Sequence, residues 1–133
     1  MSDASGITSF GYDVRGNIAS KTVSISGAYA LTTGYSYDLA DRITTITYPS
    51  GRIVTYARDA LGRVSGVTMQ ASAGASPVTL ASAFVYQPMG PLATFAYGND
   101  LRFARDWGGD QRLYRKSIKT AGGTALGCAP VRL

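Results

Sequence analysis

The sequence contains no histidine and no glutamate, and all eight of its acidic residues are aspartates. Without an imidazole there is no serine–histidine triad, no histidine-ligated metal site and no histidine general base. The single cysteine, Cys128, cannot close a disulfide within the chain, cannot assemble a thiolate metal cluster, and has no imidazole to activate it as a nucleophile. No run of 18 apolar residues is present, so no segment reads as a membrane-spanning helix and no membrane insertion is expected. The opening residues lack the basic and apolar stretches of a signal peptide. Glycine and proline together make 21 of 133 residues, too few for a low-complexity chain. What remains is 45 % hydrophobic and 11 % aromatic, enough for one domain with a modest core. No catalytic residue, metal site or cofactor is expected.

Charge is uneven. Residues 1–100 carry six bases and six aspartates, whereas residues 101–133 carry seven bases against Asp106 and Asp110, which accounts for the net +5. Arg112, Arg115, Lys116 and Lys119, with Tyr114 among them, are therefore the candidates for phosphate contact and electrostatic nucleic-acid binding. The plainer reading is a solvated basic end.

The strongest signal is an internal repeat. Tyr12-Asp13-x-x-Gly16-Asn17-Ile18 is echoed by Tyr37-Asp38-x-x-Asp41-Arg42-Ile43, by Arg58-Asp59-x-x-Gly62-Arg63-Val64 and by Tyr86-Gln87-x-x-Gly90-Pro91-Leu92. A fifth, degraded copy reads Arg105-Asp106-x-x-Gly109, placing the aspartate-equivalent positions at 13, 38, 59, 87 and 106. An aspartate opening a tight turn can accept backbone N–H groups through its carboxylate. A glycine three residues later accommodates the positive φ that closes such a turn in a hairpin. The flanks are rich in Thr, Tyr, Val and Ile, which suit a pleated surface. Each unit thus reads as strand, turn, strand.

The segments after the turns share one strand face through Ile46 and Tyr48, Val67 and Met69, and Phe95 and Tyr97. Ile18, Ile43, Val64 and Leu92, just after each turn, fall out of phase by one, which predicts a bulge or a switch of face there. A second turn type is marked by Tyr48-Pro49-Ser50-Gly51-Arg52 and by Tyr97-Gly98-Asn99-Asp100-Leu101. The fold expected is all-β, a meander of antiparallel hairpins with eight to ten short strands and no helix. Its boundaries are read as a flexible N-terminus at 1–9, a repeat sheet at 10–119 and a flexible, basic, glycine-containing tail at 120–133. A long loop is expected over residues 70–77.

The Tyr-Asp-x-x-Gly copies, together with Pro88-Met89-Gly90-Pro91-Leu92 and Tyr97-Gly98-Asn99, resemble the YD repeats of the Rhs family. These repeats occur in bacterial polymorphic toxins, insecticidal toxin complexes and teneurins, and the resemblance covers residues 10–118. It implies a curved strip of a β-shell that encloses or presents a toxin or effector domain, within an exported or cell-surface bacterial protein. Such shells need many hundreds of residues, so the chain reads as a fragment of a larger wall. The expected partners are the rest of that shell or its effector, and further copies of the chain through open strand edges.

On this reading Tyr12, Asp13, Gly16, Tyr37, Asp38, Asp41, Asp59, Gly62, Tyr86, Gly90, Asp106 and Gly109 are structural residues of the repeat turns. Tyr37, Tyr56, Tyr97 and Trp107 are the candidate ligand surface for the alternative function, carbohydrate or cell-surface binding through aromatic stacking. Asp38 with Asp41, and Asp106 with Asp110, are the carboxylate pairs closest to acid–base or cation-binding spacing.

Overall fold

A computed structural model of the chain describes residues 2–3, 6–25, 29–88, 90–110, 112–120 and 122–130. Twelve strands run along it: β1 (Ser2–Asp3), β2 (Gly6–Tyr12), β3 (Ile18–Ile25), β4 (Ala30–Tyr37), β5 (Ile43–Thr47) and β6 (Ile53–Arg58), followed by β7 (Val64–Gln70), β8 (Val78–Tyr86), β9 (Leu92–Tyr97), β10 (Arg102–Trp107), β11 (Leu113–Lys119) and β12 (Ala125–Pro130). No helix occurs among the described residues. The all-β meander read from the sequence is the observed fold, with more strands than expected.

Two units are distinguished: Met1–Tyr56 with Met69–Pro77, and Ala57–Thr68 with Val78–Leu133. Within each, strand order is chain order and every registered pair is antiparallel. Strands also extend beyond residues 10–119. Residues 6–9 belong to β2, registered on β3 from Gly6↔Ile25 onward. In place of a frayed tail, β12 lies along β11 from Arg115↔Pro130 to Lys119↔Ala125. Gly, Ala and Cys are weak strand formers, and these residues pair because β11 offers them an unpaired row of N–H and C=O groups.

Most hairpins close with the same three-residue loop. The Asp13 N–H donates to the Asn17 carbonyl at 2.8 Å, and the Gly16 N–H returns to the Asp13 carbonyl at 3.1 Å. The same pair of bonds closes the turns at Asp38, Tyr48, Asp59, Gln87, Tyr97 and Thr120. The fourth residue of each sits at positive φ, for example Gly16 at 86° and Gly62 at 80°. Asp41 at 57° and Asp100 at 65° fill the same place with a residue type that tolerates it.

The predicted phase slip is a β-bulge. Tyr12 pairs with Ile18 while Gly11 pairs with Ser20, leaving Ala19 over. Thr44, Ala93 and Tyr114 are left over in the same way. The extra residue resets which face the rest of the strand presents.

That reset sorts the side chains. In the first unit, register and period-two alternation place Phe10, Val23, Leu31, Tyr35, Ile46 and Val54 on one face. The opposite face carries Ser9, Ser20, Thr22, Thr32, Gly34, Thr45 and Thr55, with Ile7 and Ile53 as exceptions. Thr22 and Thr32 share a hydroxyl hydrogen bond of 2.9 Å there. In the second unit Phe84, Phe95 and Phe103 stand in a row, with centroids 5.2 Å apart at both contacts. The modest core expected from composition is not formed. Only Ala81 (9 % exposed), Ala93 (8 %) and Ser117 (5 %) are buried among the described residues. A single layer has no second layer against which to bury its apolar face.

Candidate functional site

The repeat turns form the most organised polar structure in each unit. Asp13 accepts the backbone N–H groups of Arg15 and Asn17 on Oδ1, each at 2.9 Å. Asp38 does the same for Ala40 and Arg42, at 2.9 and 3.0 Å, while its Oδ2 accepts Arg42 Nε at 2.8 Å. Asp59 accepts Leu61 and Arg63 at 3.0 and 2.9 Å and pairs with Arg63 Nε at 2.8 Å. One carboxylate therefore occupies the whole concave side of each turn. The fourth turn has Gln87 at this position and keeps only the backbone bonds, 2.8 Å to Pro91 and 3.0 Å from Gly90.

These bonds hold the carboxyls below their ordinary value of 3.8. For Asp13 the main cause is the Asn17 N–H, and for Asp38 it is the Arg42 N–H. For Asp59 partial desolvation pushes the other way and is outweighed by the Arg63 N–H and guanidinium. A carboxylate depressed in the folded state contributes stability above its unfolded value, and that contribution is lost as pH falls through the folded value. The urea midpoint is therefore expected to hold flat down to about pH 5 and then decline. Replacing Asp13, Asp38 and Asp59 together by Asn keeps an acceptor oxygen in each turn but removes the titration. Midpoints measured across this range should show a flatter acid limb in the triple variant. An unchanged limb would place the acid sensitivity elsewhere.

Successive turns are joined to one another. In the first unit Arg15 Nη2 donates to the Asp38 carbonyl at 2.9 Å, and its Nη1 stands 3.3 Å from Asp41 Oδ1. Asn17 Nδ2 donates to the same Asp41 oxygen at 2.7 Å. The aromatic that heads a repeat reaches back to the carbonyl leaving the turn before it. Tyr37 OH donates to Ile18 O at 2.9 Å, Tyr86 OH to Val64 O at 2.6 Å, and Trp107 Nε1 to Leu92 O at 3.3 Å. The Arg63 guanidinium lies over the Tyr86 ring at 4.5 Å. Sequence reasoning did not anticipate this clamp. Its signal was present, since Ile18, Val64 and Leu92 align and each is followed, one repeat later, by an aromatic with a donor. Tyr86→Phe is expected to cost about 1 kcal/mol, the loss of one hydrogen bond whose acceptor is left half-buried. Urea unfolding of the two proteins measures it, and equal midpoints would show that the clamp contributes nothing.

The fifth turn is two residues displaced from its sequence reading. Trp107 pairs with Leu113, as Tyr12 pairs with Ile18, and the Gly108 N–H donates to the Arg112 carbonyl at 2.9 Å. Trp107-Gly108 therefore replaces Tyr-Asp. Asp106 lies within β10 opposite Arg115, and Gly109 sits inside the turn rather than at its close.

The remaining candidates disperse. Asp38 and Asp41 are committed to separate partners, and Asp106 and Asp110 lie in a strand and a turn respectively. No group of three metal-ligating side chains occurs among the described residues. Tyr37 and Tyr56 are half-buried in the first unit, Tyr97 is exposed, and Trp107 is half-buried. Tyr97 meets Phe95 edge-on at 4.7 Å. Alternation splits the basic residues, with Lys116 on one face of β11 and Arg115 and Lys119 on the other.

Residues 31–53 and 37–75 match the RHS Repeat family. The chain carries RHS repeats. A sequence search of curated proteins finds no match. Among solved structures, the chain is similar to the crystal structure of TcdB2-TccC3-Cdc42, with a TM-score of 0.82 over 98 % of its residues at 18 % identity. It is also similar to the Tc holotoxin pore of Photorhabdus luminescens (TM-score 0.83, 98 % covered, 18 % identity) and to TcdB2-TccC3 without its hypervariable C-terminal region (0.82, 98 % and 18 %). The chain spans 7 % of each of those chains. The likeness establishes the RHS-type fold, and the structural role of the repeats follows from the turns themselves: every conserved-looking position is spent on closing a turn or joining it to the next.

Proposed function

We propose that the chain is a non-catalytic wall segment of an Rhs-type β-shell that encloses or presents a toxin or effector within an exported assembly. The observation that carries this reading is a sheet with one apolar and one hydroxyl-rich face and almost no buried side chain of its own. A sheet so organised is completed by something lying against it, either the rest of the wall or the contents behind it. The turn tips support the same reading. Val14, Leu39 and Leu61, at the crests of three repeat turns, are largely exposed aliphatics, suited to packing against a further course of wall. The partners are accordingly the remaining shell and its effector.

The test is a graft. Residues 10–119 replace the structurally equivalent stretch of a TcdB2-TccC3 shell, and the chimera is examined by electron cryomicroscopy and limited proteolysis. A closed wall that still shields its interior from protease is the expected result. A shell that opens at the graft, or fails to assemble while a control graft of native sequence succeeds, overturns the proposal.

A further inference from the structure

On the small-residue face of the second unit, Arg102 is registered directly opposite Lys119. Like charges facing each other across an antiparallel pair repel, and neither residue has an ion-pair partner among the described residues. Between them lies a depression of about 150 Å³. Its lining includes Thr94, Ala96 and Ala104, so the rim is cationic and the floor is small side chains. Ala83, on its wall, is held at φ 52° by a bulge that interrupts β8 between Ser82 and Val85. An alanine in that region is strained, and bulges of this kind re-aim the chain beside binding sites.

Three independent features thus meet in one place: an uncompensated pair of cations, a concavity between them, and a strained residue shaping its wall. We propose that this depression is an oxyanion-binding site, taking a phosphate group between the Arg102 guanidinium and the Lys119 ammonium, with the Thr94 hydroxyl as a further donor. Arginine supplies a planar fork of donors and lysine a mobile point charge, a combination suited to a tetrahedral anion. The volume is several times the roughly 30 Å³ share of a water molecule, leaving room for the ion's own waters or for a small group that carries it. The depression is independent of the repeat turns and of the wall reading.

The test uses the full chain, with chloride exchanged for inorganic phosphate or for phenyl phosphate at constant ionic strength. Saturable amide shifts confined to residues 83, 94–96, 102–104 and 119 are expected by NMR, together with a higher urea midpoint. Arg102→Gln and Lys119→Gln should each weaken the apparent affinity about tenfold or more, the loss of one charge-assisted bond. In chloride alone the same variants should be more stable than the parent, because the repulsion is gone. This opposite sign separates a lost site from a damaged fold. Arg52→Gln, at a turn in the first unit, serves as the control. A phenyl phosphate at least tenfold tighter than the free ion assigns the site to an organic phosphate, and equal affinities assign it to the ion itself. Shifts that fail to saturate with either probe, or an unchanged response in both Arg102 and Lys119 variants, overturn the proposal.

Discussion

Phe95→Ala should lower the stability of the chain by about 3 kcal/mol, the largest effect expected of any single truncation here. The reason is its position in the aromatic row. Phe95 stacks on Phe84 at 5.2 Å and 10°, tilts against Phe103 at 5.2 Å, and receives the edge of Tyr97 at 4.7 Å. Each contact bridges neighbouring strands or neighbouring positions of one strand, so a single ring ties β8, β9 and β10 together. In a protein with a deep core such a loss would be spread over many neighbours. Here the row is one of the few places where large side chains cover one another at all. Phe84→Ala and Phe103→Ala remove end members of the row and should cost about 2 kcal/mol each. Chemical unfolding followed by circular dichroism gives the comparison. Equal losses at the three positions would mean that the ring contacts add nothing beyond the area each ring covers.

The second large effect concerns association. The isolated chain is expected to form concentration-dependent oligomers when size-exclusion chromatography with light scattering is run at two concentrations. Two features drive this. The strand row begins with a two-residue β1, which leaves most of β2 without a partner on that side among the described residues. It ends with β12, whose one registered neighbour is β11. Edges of this kind recruit further strands. The second feature is the apolar face, whose residues Phe10, Leu31 and Tyr48 are counted among the exposed large side chains. A monodisperse monomer at both concentrations would show that the sheet protects its own edges and would remove the argument for a missing remainder.

Much of this architecture was legible in the sequence because the turns are written in local chemistry. Tyr-Asp-x-x-Gly specifies an acceptor at one end of the loop and a left-handed residue at the other, and four of the five copies lie where the letters place them. The bulge was legible too, as a phase slip at Ile18, Ile43, Val64 and Leu92. The fifth turn was misplaced because Arg105-Asp106-x-x-Gly109 satisfies the letters. What fixes the register is instead an aromatic donor within reach of the Leu92 carbonyl. Counting back five residues from Arg112, as from Asn17 to Tyr12, leads to Trp107. β12 was not legible, since Gly127, Ala129 and Pro130 have no strand preference of their own and are held by the neighbour they pair with. Nor was the missing core, because composition counts apolar residues without saying whether a second layer will meet them.

Strand order that never departs from chain order has a mechanical consequence. Within either unit each strand is hydrogen-bonded to its neighbours in sequence, so the contacts are short-range along the chain and no strand is threaded between distant segments. Such a ladder behaves as a nearly one-dimensional chain of coupled hairpins. Tension applied along the polypeptide loads the bonds of the outermost hairpin first and opens them in succession, like a zip, instead of shearing a whole strand at once. The wall could then be drawn apart one hairpin at a time and, its contacts being local, re-form quickly in the same order.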